Sequence, residues 1–217
     1  MIARMGLRTR LGLAQTLVFT GLQTDPTTLA RLVDRFCRQH ADLIVLWQPD
    51  AIGDDLLLGY RAGLQAMDGR AVLGVRADAQ TVARSSADLV ISTDGVRPLR
   101  GHHYGLAAVF ADDPAALRQA VADAQVDAIV VSPSLVRIAA GLLPPAEPSS
   151  KPWFAMVNSI RAGRSAVQAG ARRLAFDFPS GEDLPQYREL LAASWRDEME
   201  SVALGSDRPQ WGAPPRS

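Results

Sequence analysis

Polar side chains with the means to do chemistry stand at the ends of short apolar bursts along this chain: Thr20, Gln48, Arg76, Asp78, Ser92, Asp94, Ser132, Ser134, Asn158, Ser159, Arg161 and Asp177. Asp177, Asp78 and Asp94 are the candidate catalytic acids. Asp177 lies between Phe176 and Phe178, where desolvation turns a carboxylate into a general base, although the same residue can cap a turn over Pro179 to Glu182. Arg76 and Asp78 can clamp an anion together, or pair with each other and close a rim. Gln48, Arg76, Ser132, Ser134, Asn158, Ser159 and Arg161 are candidate binders of a small phosphorylated molecule, joined by Arg97 and Arg100 in the basic stretch GVRPLRGHHYG. His102 and His103 in that stretch present their rings in opposite directions if the segment is extended, so no metal site is assigned to them.

The elements that must position these residues are legible from a repeat. HADLIVLWQ, SADLVISTD, QVDAIVVSP and AGARRLAFD each join the end of a helical pattern to an apolar burst, the sequence form of a helix running into a buried parallel strand. Eight strands are expected, at residues 11–20, 43–47, 71–75, 89–93, 105–110, 128–132, 153–157 and 173–178. Helices are expected between them: PTTLARLVDRFCRQH behind Asp25 and Pro26, DDLLLGYRAGLQAM before Gly69, DPAALRQAVADA from Asp113 and Pro114, RAGRSAVQAG, and EDLPQYRELLAASWRDEMESV. Eight strands alternating with helices in about 200 residues is the arithmetic of a single (β/α)8 TIM barrel, which places functional groups at the C-terminal ends of its strands. A doubly wound sheet is the alternative, but no glycine-rich fingerprint follows the first strand. The barrel is expected over residues 1–202, with a loose tail over 203–217 rich in Pro and Ser.

Composition narrows the function classes. Lys plus Arg and Asp plus Glu balance at 23 each, so there is no basic surplus for nucleic acid. No apolar run is long enough to span a membrane. The lone Cys37 cannot make an internal disulfide, and a cytoplasmic location is expected. Arg4, Arg8 and Arg10 before LGLAQTLVFTG imitate a signal sequence, without the small-residue cleavage site that would complete one. Lys151 is the single lysine, and it precedes the seventh strand at the end where barrels build stability rather than catalysis. A homodimer covering part of the barrel rim stays open.

The order VRADAQTVARSSADLVIST, then GLAAVFADDPAALRQAVADAQVDAIVVSPS, then KPWFAMVNSIRAGRSAVQAGARRLAF resembles the thiamine phosphate synthase and TenI superfamily over roughly residues 11 to 195. The resemblance implies a thiamine phosphate synthase-like barrel that couples a pyrimidine diphosphate to a thiazole phosphate, with Mg²⁺ on the leaving pyrophosphate. The motifs themselves are substituted. Val45 to Pro49 replace Q-L-R-E-K, and Arg76, Ala77 and Asp78 replace N-D-R, so no carboxylate stands at Ala77. The second acidic position falls on Val96, two residues beyond Asp94. Phe110 and Asp112 stand at the serine and histidine positions of G-V-S-T-H-S, while Asn158 and Ser159 replace a phosphate-binding G-G. No cofactor is assigned, and Mg²⁺ finds its expected ligand positions substituted. Two classes remain open: a divergent thiamine phosphate synthase-like barrel, an enzyme or former enzyme that binds or formerly coupled such phosphates, with Arg76, Arg97, Arg100 and Arg161 in place of the missing anchors; or a non-catalytic barrel that regulates or contacts a protein through Trp47 or Trp211. Trp47, Trp153 and Phe110 are expected to fill the mouth.

Overall fold

The computed structural model describes residues 2–22, 25–48, 53–93, 105–144, 150–177 and 184–205, with the backbone alone at 2–5, 79 and 197–205. Eight parallel strands close into a barrel in sequence order, β8 pairing back to β1. They are β1 (Thr16–Thr20), β2 (Leu43–Leu46), β3 (Val72–Ala77), β4 (Leu89–Ser92), β5 (Leu106–Ala111), β6 (Ala128–Val131), β7 (Trp153–Val157) and β8 (Leu174–Asp177). Around them run α1 (Ile2–Leu13), α2 (Pro26–Arg38), α3 (Gly53–Met67), α4 (Ala79–Ser85), α5 (Pro114–Ala122), α6 (Val136–Leu142), α7 (Ile160–Gln168) and α8 (Leu184–Gly205). This is the (β/α)8 fold expected from the repeat. The tail over 206–217 lies outside the described residues, and α8 runs three residues past 202. No helix among the described residues is long and apolar enough to cross a membrane.

Two cores follow from the period-2 alternation of each strand. Leu17 and Phe19, Leu43 and Val45, Leu89 and Ile91, Leu106 and Ala108, Ala128 and Val130, Phe154 and Ala175 fill the barrel interior. The alternate residues, such as Val18, Ile44, Leu73, Val90, Ile129 and Phe176, pack against the helices. Gly74 of β3 keeps its place for a steric reason. A Cβ there would sit 2.7 Å from the Leu89 carbonyl oxygen and 3.0 Å from the Leu89 Cβ.

The N-terminal end differs from the expectation. Residues 11–20 are not one strand: Leu11–Leu13 end α1, and β1 starts at Thr16. Leu7, Leu11 and Ala14 recur at helical spacing and face the interior core, so α1 seals the barrel bottom with an apolar face. Arg173 holds it there, its Nε donating to Ala14 O at 3.0 Å and its Nη2 to Gly12 O at 2.9 Å, which satisfies carbonyls that a helix end leaves open. Burial lowers the pKa of that guanidinium. At the same end Asp42 accepts from Gln15 N, Thr16 N and Thr16 Oγ1, each at 2.9 Å. Asp127 accepts from Ala107 N at 3.0 Å and from Arg8 at 2.8 Å. Lys151 donates to the carbonyls of Ala120, Val121 and Asp123, a clamp on the end of α5. Trp153 is absent from the mouth: it is buried, and its Nε1 donates to Leu143 O at 3.0 Å.

Candidate functional site at the barrel mouth

The eight strands carry one cation and one acid, Arg76 and Asp177, both near C-terminal ends. Arg76 occupies an inward position of β3, two residues beyond Gly74. Its guanidinium carbon lies 4.3 Å from the centroid of Trp47, 5.1 Å from that of Phe110 and 6.0 Å from that of Phe19. Trp47 in turn meets Phe19 edge-on, with centroids 6.5 Å apart. An arginine held on aromatic faces is stabilised by the ring quadrupoles. Those faces supply no hydrogen-bond acceptor, however, and the buried Nε of Arg76 has no partner among the described residues. Burial depresses the Arg76 pKa, an effect that the charge of Asp177 opposes.

Asp177 stands at the end of β8. Burial raises its carboxyl above the ordinary range, and Arg76 pulls it back only in part. Of the two aromatics that flank it in the sequence, Phe176 does not cause this. Phe176 points the other way, into the helix layer, where its ring lies 4.3 Å from that of Tyr187, and Phe178 is outside the described residues. The carboxylate is instead the opposite charge of the mouth, in electrostatic reach of Arg76.

Asp78 borders this site without pairing to Arg76. Its carboxylate accepts from Thr81 N at 2.9 Å and Thr81 Oγ1 at 3.0 Å as the N-cap of α4, which lowers its pKa. The Arg76–Asp78 pair that the sequence allowed does not form, because Asp78 turns to Thr81. A cavity of about 330 Å³ opens beside Arg76, lined by Trp47, Gln48, Leu56, Ala77, Asp78, Thr81 and Thr93. Gln48 is thus brought to the site with Arg76. Ser132 and Ser134, whose Oγ atoms lie 3.0 Å apart, belong to another part of the rim. Ser134 lines a second cavity of about 350 Å³ with Arg137 and Met156, between the turn Pro133–Leu135 and α7. Asn158 and Arg161 are exposed, and Ser159 Oγ accepts from Ala162 N at 3.2 Å as the N-cap of α7. Thr20 and Ser92 are buried on the helix-facing side. Asp94, Arg97, Arg100, His102 and His103 lie outside the described residues. Sequence reasoning missed Phe19, and with it Leu56, Thr81 and Thr93 of the cavity wall; an apolar residue inside an apolar strand, such as Phe19, carries no signal of its own.

Mg²⁺ does not fit the described residues. Position 77 is alanine, Asp78 is engaged by Thr81, and no group of three His, Cys, Asp or Glu among the described residues could hold a metal ion.

The fold and mouth define a (β/α)8 barrel of the architecture that enzymes commonly use. No family model matches the chain, and no curated protein sequence matches it. Solved structures do. An N-acetylneuraminate lyase from Fusobacterium nucleatum superposes with a TM-score of 0.67 at 6% identity, over 89% of this chain and 79% of that one. A thiamine phosphate pyrophosphorylase from Pyrococcus furiosus gives 0.62 at 13% identity, over 87% and 98%. A dihydropteroate synthase from Thermus thermophilus, in complex with 6HMPPP, gives 0.60 at 18% identity, over 85% and 94%. At these identities the likeness is one of fold.

Proposed function

We propose that this protein is a ligand-binding barrel that captures a small organic anion at its mouth through Arg76, without coupling a pyrimidine diphosphate to a thiazole phosphate. One observation carries the reading: a partly buried guanidinium, propped by Trp47 and Phe110, keeps a donor with no acceptor among the described residues. Such an arrangement is costly unless something else uses it. Ala77 and the engaged Asp78 speak against coupling, because departure of a diphosphate depends on charge neutralisation and positioning.

A thiamine-related ligand is the second reading, favoured by the superposition on the Pyrococcus furiosus thiamine phosphate pyrophosphorylase over nearly the whole of that chain. A thermal-shift titration against thiazole phosphate, thiamine phosphate, inorganic pyrophosphate with and without Mg²⁺, and simple carboxylates separates these outcomes. Stabilisation by any anion that is lost in Arg76→Met supports the binding reading, and a thiamine-pathway phosphate among the stabilising ligands supports the second. No shift at millimolar concentrations refutes both and returns the chain to the class of protein-contacting barrels.

A further inference from the structure

The anion-binding reading leaves open which anion, and the rim of the barrel narrows it. A phosphate at the mouth of a (β/α)8 barrel is ordinarily held by free backbone N–H groups at helix N-termini. Here, in the helices that follow the odd strands, a side-chain cap already takes one or two of those groups. Asp25 accepts from Thr27 N and Thr28 N at the start of α2, Asp78 from Thr81 N at α4, Asp113 from Ala115 N and Ala116 N at α5, and Ser159 from Ala162 N at α7. Three of these four caps are carboxylates, so each brings a negative charge where a phosphate needs a positive one. The strands supply only one cation against one acid, Arg76 against Asp177. A ligand with one negative charge meets the Arg76 guanidinium, with Asp78 at the cavity wall and Asp177 at the end of β8 as carboxylate neighbours; a ligand with two doubles its repulsion from both, and finds no second cation in the strands.

We infer that the mouth selects a singly charged organic anion, a carboxylate on a compact apolar body, over a phosphate dianion; the inference rests on the anion-binding reading of Arg76. The carboxylate meets the Arg76 guanidinium, whose planar donor edge matches a planar acceptor. The body occupies the adjoining cavity of about 330 Å³ against Trp47, Leu56 and Ala77. Asp177 serves as the charge filter, penalising the second negative charge.

The test pairs two probes of the same body, benzoate and phenyl phosphate, titrated calorimetrically into the full chain at pH 8, where the phosphate is a dianion. Benzoate is expected to bind at least about tenfold more tightly, a difference that a modest electrostatic penalty produces. Arg76→Met, with its fold checked by circular dichroism, should abolish benzoate binding. Asp177→Asn should narrow the preference several-fold by admitting the dianion. Equal affinity, a preference for phenyl phosphate, or a preference unchanged in Asp177→Asn overturns the selectivity while leaving the anion site standing. Failure of both probes to bind overturns the anion site itself.

Discussion

Replacing Arg76 by methionine should make the ligand-free protein more stable. Methionine keeps the apolar stem that packs among Phe19, Trp47 and Phe110, and removes the charged head. Lost are the contacts of the guanidinium with Trp47 at 4.3 Å and Phe110 at 5.1 Å, worth about 0.5 to 1 kcal/mol each. The attraction of Asp177 adds about 0.5 kcal/mol across a partly solvated mouth. Recovered is the cost of the buried Nε, which has no acceptor among the described residues, about 1 to 3 kcal/mol for such a donor. The desolvation of the charge itself, which depresses the Arg76 pKa, is recovered as well. The losses of about 1.5 to 2.5 kcal/mol and the donor recovered at about 1 to 3 nearly cancel, so the recovered desolvation sets the sign, in favour of Arg76→Met by up to about 1 kcal/mol, or up to about 2 to 4 °C in Tm for a domain of this size. Urea unfolding with matched m-values is the assay. A variant less stable than the parent by more than about 1 kcal/mol would refute the reasoning: Arg76 would then be a strut of the barrel rather than a group held ready for a ligand.

Asp177→Asn tests the opposite charge. Because burial raises its carboxyl, Asp177 favours the folded state most when protonated, and that contribution is lost as pH rises through the folded value. The variant should therefore gain stability near pH 7, and the gain should vanish in acid; a loss at pH 7 in urea midpoints would contradict this. Asp78 has the reverse sign, its pKa lowered by Thr81, so Asp78→Ala should cost about 1 kcal/mol at neutral pH and progressively less as acid protonates the parent, read from the same pH series. Asp42→Ala strands three donors on Gln15 and Thr16 and should cost about 3 kcal/mol in chemical denaturation. Gly170→Ala, at φ +105° and with its new Cβ 2.7 Å from that of Ala140, should cost about 2 kcal/mol by calorimetry.

The architecture was readable because its cause is local and repeated. Four bursts such as LIVL and AIVV must be buried on both faces, and Asp25–Pro26 and Asp113–Pro114 announce helix starts that the structure reproduces. The missed elements share a physical reason. The helix α4 has seven residues and α6 has seven with Gly141 inside, too short for periodicity to stand out. Among the described side chains, the interior face of α1 has Leu7 and Leu11, with Ala14 just past its end, and these merge into the apolar run of β1. The site was legible in its parts but not in its pairing. Arg76, Asp78 and Asp177 were visible as polar residues at strand ends, yet the alternation that sends Arg76 inward to Asp177, and the cap that takes Asp78 away to Thr81, depend on register and on a helix start. Trp47 and Phe110 were read as filler for the mouth; the structure adds that they are the surface on which the one cation of the strands rests.

The clasp at the barrel bottom bears on how the chain folds. Arg173 reaches carbonyls 159 and 161 residues away, and β8 pairs with β1 across a similar interval. Every other ladder joins strands that are neighbours in sequence. Neighbouring units can form as short loops close, whereas the seam between β1 and β8 carries the largest chain-closure entropy in the molecule. The β1–β8 seam is therefore the ladder that costs the chain most to close, and the clasp of Arg173 on the end of α1 shares that cost.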